Sequence, residues 1–161
     1  MNKKRLWVRI DNRLVHGQVV ETWLPYSNAK TLVVANDQLA NDELRQELLR
    51  LAVPTGVHIL FSNVQQTAEQ VDDLEPSGYT GADIFLLFAS CEDAMVAYTS
   101  GLTFSFLNVG NLHYSHGKRQ ICDHIALDQE DLSCLRYLQE QGVKLDFRCL
   151  PNTQVNVKAL W

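Results

Sequence analysis

Two arginines, an aspartate and a histidine stand at positions 9, 13, 11 and 16, inside the stretch RIDNRLVHGQV. A neutral imidazole keeps one nitrogen lone pair free near neutral pH, and can use it to attack phosphorus or to accept a proton. Arginine offers a planar fork of donors that matches phosphate oxygens. His16 therefore reads as the reactive group, with Arg9 and Arg13 as phosphate ligands. Asp11 is placed to orient the imidazole or one arginine, and Gly17 lets other groups come close to the backbone beside His16. A helix-end histidine satisfied by backbone is an equal reading of His16 on composition alone, and an edge ion pair is the stronger alternative for Arg9.

The flanking residues say how these side chains are carried. Leu6, Trp7, Val8 and Ile10 lead in, and Val15, Val19, Val20 and Trp23 lead out at helical spacing, so the unit is strand, loop, helix. The loop then sits at the carboxyl end of the strand, where the unpaired N–H groups of the helix attract anions.

The first helix is expected to end near Pro25, and Thr31–Ala35 reads as a buried strand. A helix over Asp42–Val53 follows from the spacing of Leu44, Leu48, Leu49, Leu51 and Ala52, with Pro54 and Gly56 as its stop. Val57–Phe61 is the next strand, then a more polar helix with Val64, Ala68 and Val71, then a surface loop over Glu75–Gly81. Ile84–Phe88, apolar throughout, reads as a central strand covered on both faces, and Ser90 caps a helix reaching about Ser100. Strands are expected over Leu102–Val109, Arg119–Leu127 and Val143–Leu150, a helix over Asp128–Gln141 stopped by Gly142, and a short turn or helix over Val155–Leu160. The alternation predicts one α/β domain over residues 1–161: a three-layer sandwich with a mostly parallel sheet, helices on both faces, and room for an antiparallel edge strand.

Composition narrows the function. With 161 residues, 46% of them hydrophobic, the chain is long enough for one domain with a core of its own. A formal charge of -5 disfavours non-specific binding to nucleic acid or anionic lipid. Cys91, Cys122, Cys134 and Cys149 follow no metal or disulfide spacing and read as reduced thiols. The basic amino terminus MNKKRLWVRID lacks a signal-peptide core, so a cytoplasmic protein is expected. His58 and His124 read as strand residues, whereas His113 and His116 share a polar loop with Tyr114, Lys118 and Arg119 that could close over an anion or simply face water. No P-loop lysine motif, GxSxG or GxGxxG occurs.

The stretch RIDNRLVHGQVVETW resembles the active-site signature of the IIB component of the bacterial phosphoenolpyruvate-dependent sugar phosphotransferase system (PTS), mannose/fructose/sorbose family. VANDQLANDELRQELLRLAVPTGV, NVGNLHYSHGKRQI and ALDQEDLSCLRYLQEQGVKLDFRCLP resemble further segments of that family, so the likeness spans nearly the whole chain. The resemblance implies that His16 takes a phosphoryl group on Nδ1 from the phosphohistidine of a IIA protein or domain and passes it to a sugar bound at the membrane components IIC and IID. It implies no cofactor, metal or nucleic-acid partner, a cytoplasmic protein held at the inner membrane through IIC and IID, and room for a homo-oligomer. Asp11 would orient His16, with Arg9, Arg13, Gly17 and Ser90 around the phosphate. The chain departs from the family at Asn12, where many members carry aspartate, and at Cys91, where proline often follows the Ser or Thr. Rival readings are a regulatory or binding module that keeps the fold without transfer, and a hydrolase using His16 as base. The NVGNLHYSHGKRQ segment is similar to members handling N-acetylgalactosamine or sorbose.

Overall fold

The computed structural model describes residues 4–78 and 80–161. The first three residues of the basic amino terminus, and Tyr79 in the Glu75–Gly81 loop, lie outside the described residues.

Short runs of β-branched and large apolar residues form β1 (Leu6–Ile10), β2 (Thr31–Ala35), β3 (His58–Ser62), β4 (Ile84–Phe88) and β5 (Phe106–Val109). Together with β8 (Lys144–Asp146) they make a six-stranded sheet in the order β3-β2-β4-β1-β5-β8. Every pairing in it is parallel, and β1 lies between β4 and β5 with Ile10 opposite both Phe88 and Val109.

Side chains alternate across the sheet with the two-residue period of a strand. Ile84, Leu86 and Phe88 of β4 join the core beneath α4 (Thr67–Asp73), α5 (Cys91–Thr99) and α6 (Gln129–Glu140). Phe85 and Leu87 face the other way, into a second core with Val19, Trp23, Leu24 and Leu39. That second layer is built from a π-helical turn at Val19–Trp23, α1 (Leu24–Ser27), α2 (Asp37–Ala40) and α3 (Glu43–Ala52). The predicted three-layer sandwich is thus present.

Four details differ from the sequence reading. The antiparallel pairing is not at an edge of the main sheet: β6 (Arg119–Cys122) and β7 (Ile125–Leu127) form a separate hairpin, because turn residues Asp123 and His124 break the expected single strand. His124 is therefore a half-buried turn residue whose Nε2 lies 2.9 Å from the Phe147 carbonyl oxygen. In α3, only Leu49 and its neighbour Val53 pack on the core, while Leu44, Leu48 and Leu51 are 74%, 59% and 84% exposed. Residues 155–160 form neither helix nor turn; they lie as an extended strap, with Val157 and Leu160 packed on the first core and Arg119 donating to the Ala159 and Leu160 carbonyls.

Candidate active site

The loop after β1 is fixed by its neighbours. The Asp11 amide donates to the Phe88 carbonyl at 2.8 Å, the Asn12 amide to the Asn111 carbonyl at 2.9 Å, and the Gly110 amide to the Ile10 carbonyl at 2.8 Å. The carboxyl end of β1 is thereby pinned between the ends of β4 and β5, where functional loops of parallel sheets gather. Asp11 Oδ1 accepts from the Arg13 amide at 3.0 Å, closing a tight turn of the kind aspartate favours. Leu14 then takes a left-handed conformation, φ 55°, which a buried leucine adopts only when its surroundings hold it there. Helical hydrogen bonding begins at the His16 carbonyl, which accepts from the Val20 amide at 3.0 Å.

His16 and Asp11 meet. Nε2 of the imidazole lies 2.8 Å from Asp11 Oδ2, with the His16 side chain 14% exposed and Asp11 fully buried. An ionised carboxylate can only accept, so Nε2 carries the proton and Nδ1 keeps the lone pair. No described residue hydrogen-bonds Nδ1. The arrangement presents one nucleophilic nitrogen at the surface and anchors the other.

Beneath the histidine is a closed ring of hydrogen bonds. Arg9 Nη2 donates to Asp11 Oδ2 and to Gln18 Oε1, both at 3.0 Å. Asn111 Nδ2 donates to the same two oxygens, at 2.9 Å and 2.8 Å. Arg9 also donates from Nη1 to Asn108 Oδ1, and its guanidinium carbon lies 5.0 Å from the centre of the Trp23 ring. Burial pulls the Arg9 guanidinium below its ordinary value, and Asp11 beside it acts in the opposite sense. Gly110 is required here, because a β-carbon at that position would overlap the guanidinium.

The expected phosphate ligands divide. Arg9 is fully buried with its terminal nitrogens on Asn108, Asp11 and Gln18, which places it under the histidine as support for Asp11. Arg13 and Gly17 are exposed in the loop and first helical turn. Ser90 caps α5, its hydroxyl oxygen accepting from the Asp93 amide at 3.1 Å. Gln18 and Asn108 carry no signal of their own in the sequence, whereas Gly110 and Asn111 open the loop to His116 that the strand-and-helix order marks as a candidate functional loop and belong to the NVGN segment of the family resemblance.

The family description PTS system sorbose subfamily IIB component matches residues 5–160. The chain belongs to this family. It is 36% identical over 140 residues to the sorbose-specific EIIB component of Klebsiella pneumoniae, covering 87% of this chain and 84% of that one. It is 35% identical over 150 residues to the N-acetylgalactosamine-specific IIB component 1 of Escherichia coli K12, covering 92% of both. Among solved structures, the IIB domain of the K. pneumoniae sorbose permease superposes with a TM-score of 0.81 at 32% identity, over 93% of this chain and 91% of that one. This IIB component is a phosphotransferase that serves sugar uptake, passing a phosphoryl group to the incoming sugar. In the general PTS arrangement a IIB component partners with IIA and with the membrane components IIC and IID. Among the described residues no helix is long and apolar enough to cross a membrane.

Proposed function

We propose that His16 is the phosphoryl carrier of this IIB component. The single observation that carries the reading is the asymmetric imidazole: Nε2 held 2.8 Å from a buried carboxylate, Nδ1 without a partner among the described residues. In the first step the Nδ1 lone pair attacks the phosphorus of a IIA phosphohistidine, the donor P–N bond breaks, and its electron pair returns to the donor imidazole. In the second step a sugar hydroxyl oxygen attacks, the P–Nδ1 bond breaks, and the hydroxyl proton is released. Such transfers need in-line positioning and stabilisation of charge on the phosphoryl oxygens more than covalent chemistry. Arg13 supplies an exposed cation in the same loop as the histidine, and the amides at Gly17 and the start of the helix supply donors. Asp11 holds the imidazole and Arg9 holds Asp11. Ser90 lies at the end of the neighbouring strand, where its oxygen caps α5 and its hydroxyl bonds the Asp93 side chain; in this reading it turns to the phosphate only by exchanging that bond. The single domain acts in the cytoplasm, docked at the membrane on IIC and IID, with the donor and acceptor meeting the same imidazole in turn.

The test is the intact mass of the protein at mildly alkaline pH, where phosphohistidine survives, after incubation with phosphoenolpyruvate, enzyme I, HPr and a IIA protein of the mannose family. One added phosphate is expected on the wild type and none on His16→Ala. Phosphate retained by a folded His16→Ala protein, or none on the wild type with several IIA donors, would sink the reading.

A further inference from the structure

The ring under His16 closes on itself through four hydrogen bonds: Arg9 Nη2 to Asp11 Oδ2 at 3.0 Å, Asn111 Nδ2 to Asp11 Oδ2 at 2.9 Å, Asn111 Nδ2 to Gln18 Oε1 at 2.8 Å, and Arg9 Nη2 to Gln18 Oε1 at 3.0 Å. Both hydrogens of each donor are used, and each oxygen receives both donors. His16 Nε2 attaches at the Asp11 Oδ2 corner, 2.8 Å away. We infer that Asn111, together with Gln18, is the positioning device that decides which imidazole nitrogen receives the phosphate. This rests on His16 being the carrier.

The argument is geometric. Asp11 Oδ1 is held by the Arg13 amide and Oδ2 by Arg9 Nη2, both at 3.0 Å, and both of these donors belong to the strand-and-loop segment that carries Asp11 itself. Asn111 adds a donor to Oδ2 from the loop after β5, 100 residues further along the chain, and so ties the carboxylate to a second element. Its amide plane is itself fixed: the second Nδ2 hydrogen is held by Gln18, and Oδ1 lies 3.8 Å from the Cys149 thiol. Gln18 in turn donates from Nε2 to Cys149 Sγ at 3.4 Å, and the Cys149 carbonyl accepts from Trp23 Nε1 at 2.8 Å. Asn111 is 6% exposed, so no water substitutes freely for it. With Oδ2 fixed, Nε2 always has an acceptor in line, the Nε2–H tautomer is selected, and the lone pair stays on Nδ1. Asn111 touches neither phosphate nor sugar in this account. It acts through Asp11.

Loss of the clamp predicts a result that general destabilisation would not produce. Wild type, Asn111→Ala and Gln18→Met are phosphorylated with phosphoenolpyruvate, enzyme I, HPr and a mannose-family IIA, and the phosphohistidine is examined by 31P and 15N NMR, which separates Nδ1 from Nε2 adducts. Wild type is expected to carry phosphate on Nδ1 only. Asn111→Ala is expected to give a mixture of Nδ1 and Nε2 phosphohistidine, with kcat for acceptance down about 10- to 100-fold and KM for the IIA donor unchanged; Gln18→Met changes in the same direction by less. Should Asn111→Ala not fold, Asn111→Leu keeps a similar volume without adding charge and removes both donated bonds, and is expected to give the same mixture. A wild type that takes no phosphate overturns the carrier reading. A wild type phosphorylated on Nδ1 beside a folded Asn111 variant with the same position and the same rate overturns the inference alone.

Discussion

Asp11 and Arg9 form an ion pair 3.0 Å apart with both side chains fully buried. Breaking such a pair from one side leaves an uncompensated buried charge, so Asp11→Ala should lower stability by about 3–5 kcal/mol in denaturant titration. Arg13 is exposed and its side chain is bound to no described residue. Arg13→Ala should therefore stay within about 0.5 kcal/mol of wild type while slowing phosphoryl acceptance, which separates the two residues despite their neighbouring places in the motif. Gly110→Ala forces a β-carbon into the space of the Arg9 guanidinium, and an overpacked site of this kind costs about 1–3 kcal/mol. The melting temperature of Gly110→Ala should fall accordingly, and phosphorylation with it.

At the scale of elements, periodicity located nearly every helix and strand but did not say which face meets the core. In β4 the distinction hardly matters, because helical layers cover both sides of the sheet and all five residues are buried. In α3 it matters: three of the four leucines that set the helical spacing, Leu44, Leu48 and Leu51, point outward, while Leu49 and the adjoining Val53 make the contact with the second core. Leu48→Gln is therefore expected to leave the unfolding free energy from denaturant titration within about 0.5 kcal/mol of wild type. Leu86→Ala in β4 should cost about 2–5 kcal/mol, since it opens a cavity in a packed core. The 119–127 segment shows the complementary failure: loose alternation continues through Asp123 and His124, yet two turn residues are enough to fold one expected strand into a hairpin.

For the molecule as a whole, the sheet order brings together loops that are far apart in sequence. Because β1 lies between β4 and β5, the residues following each strand, Asp11, Ser90 and Asn111, come to one end of the sheet. The hairpin is tied to the edge strand by His124, whose Nε2 meets the Phe147 carbonyl. Burial pushes the His124 imidazole below its ordinary value of 6.5, so the unfolded chain binds this proton more readily than the folded one. The stabilisation is complete above that ordinary value and is lost as pH falls from it through the lower folded value. Denaturant midpoints at pH 7.5 and pH 5.5 should show a larger loss on acidification for wild type than for His124→Gln.

The sequence by itself determined the alternation of strands and helices, the loop that carries His16, and the family, because each is written in contiguous residues: apolar period, capping residues and a local motif. For Arg9 it left a phosphate ligand and an edge ion pair both open; the fold buries an ion pair with Asp11 at the centre of the sheet, against Trp23 and beneath a glycine from another loop. Nor could it find the ring, whose corners at Arg9, Asp11, Gln18 and Asn111 come from two segments about a hundred residues apart. Only the register of β5 against β1 puts Asn111 beside Asp11. A hydrogen bond depends on tenths of an ångström between side chains, and that distance is set by packing of the whole sheet rather than by spacing along the chain.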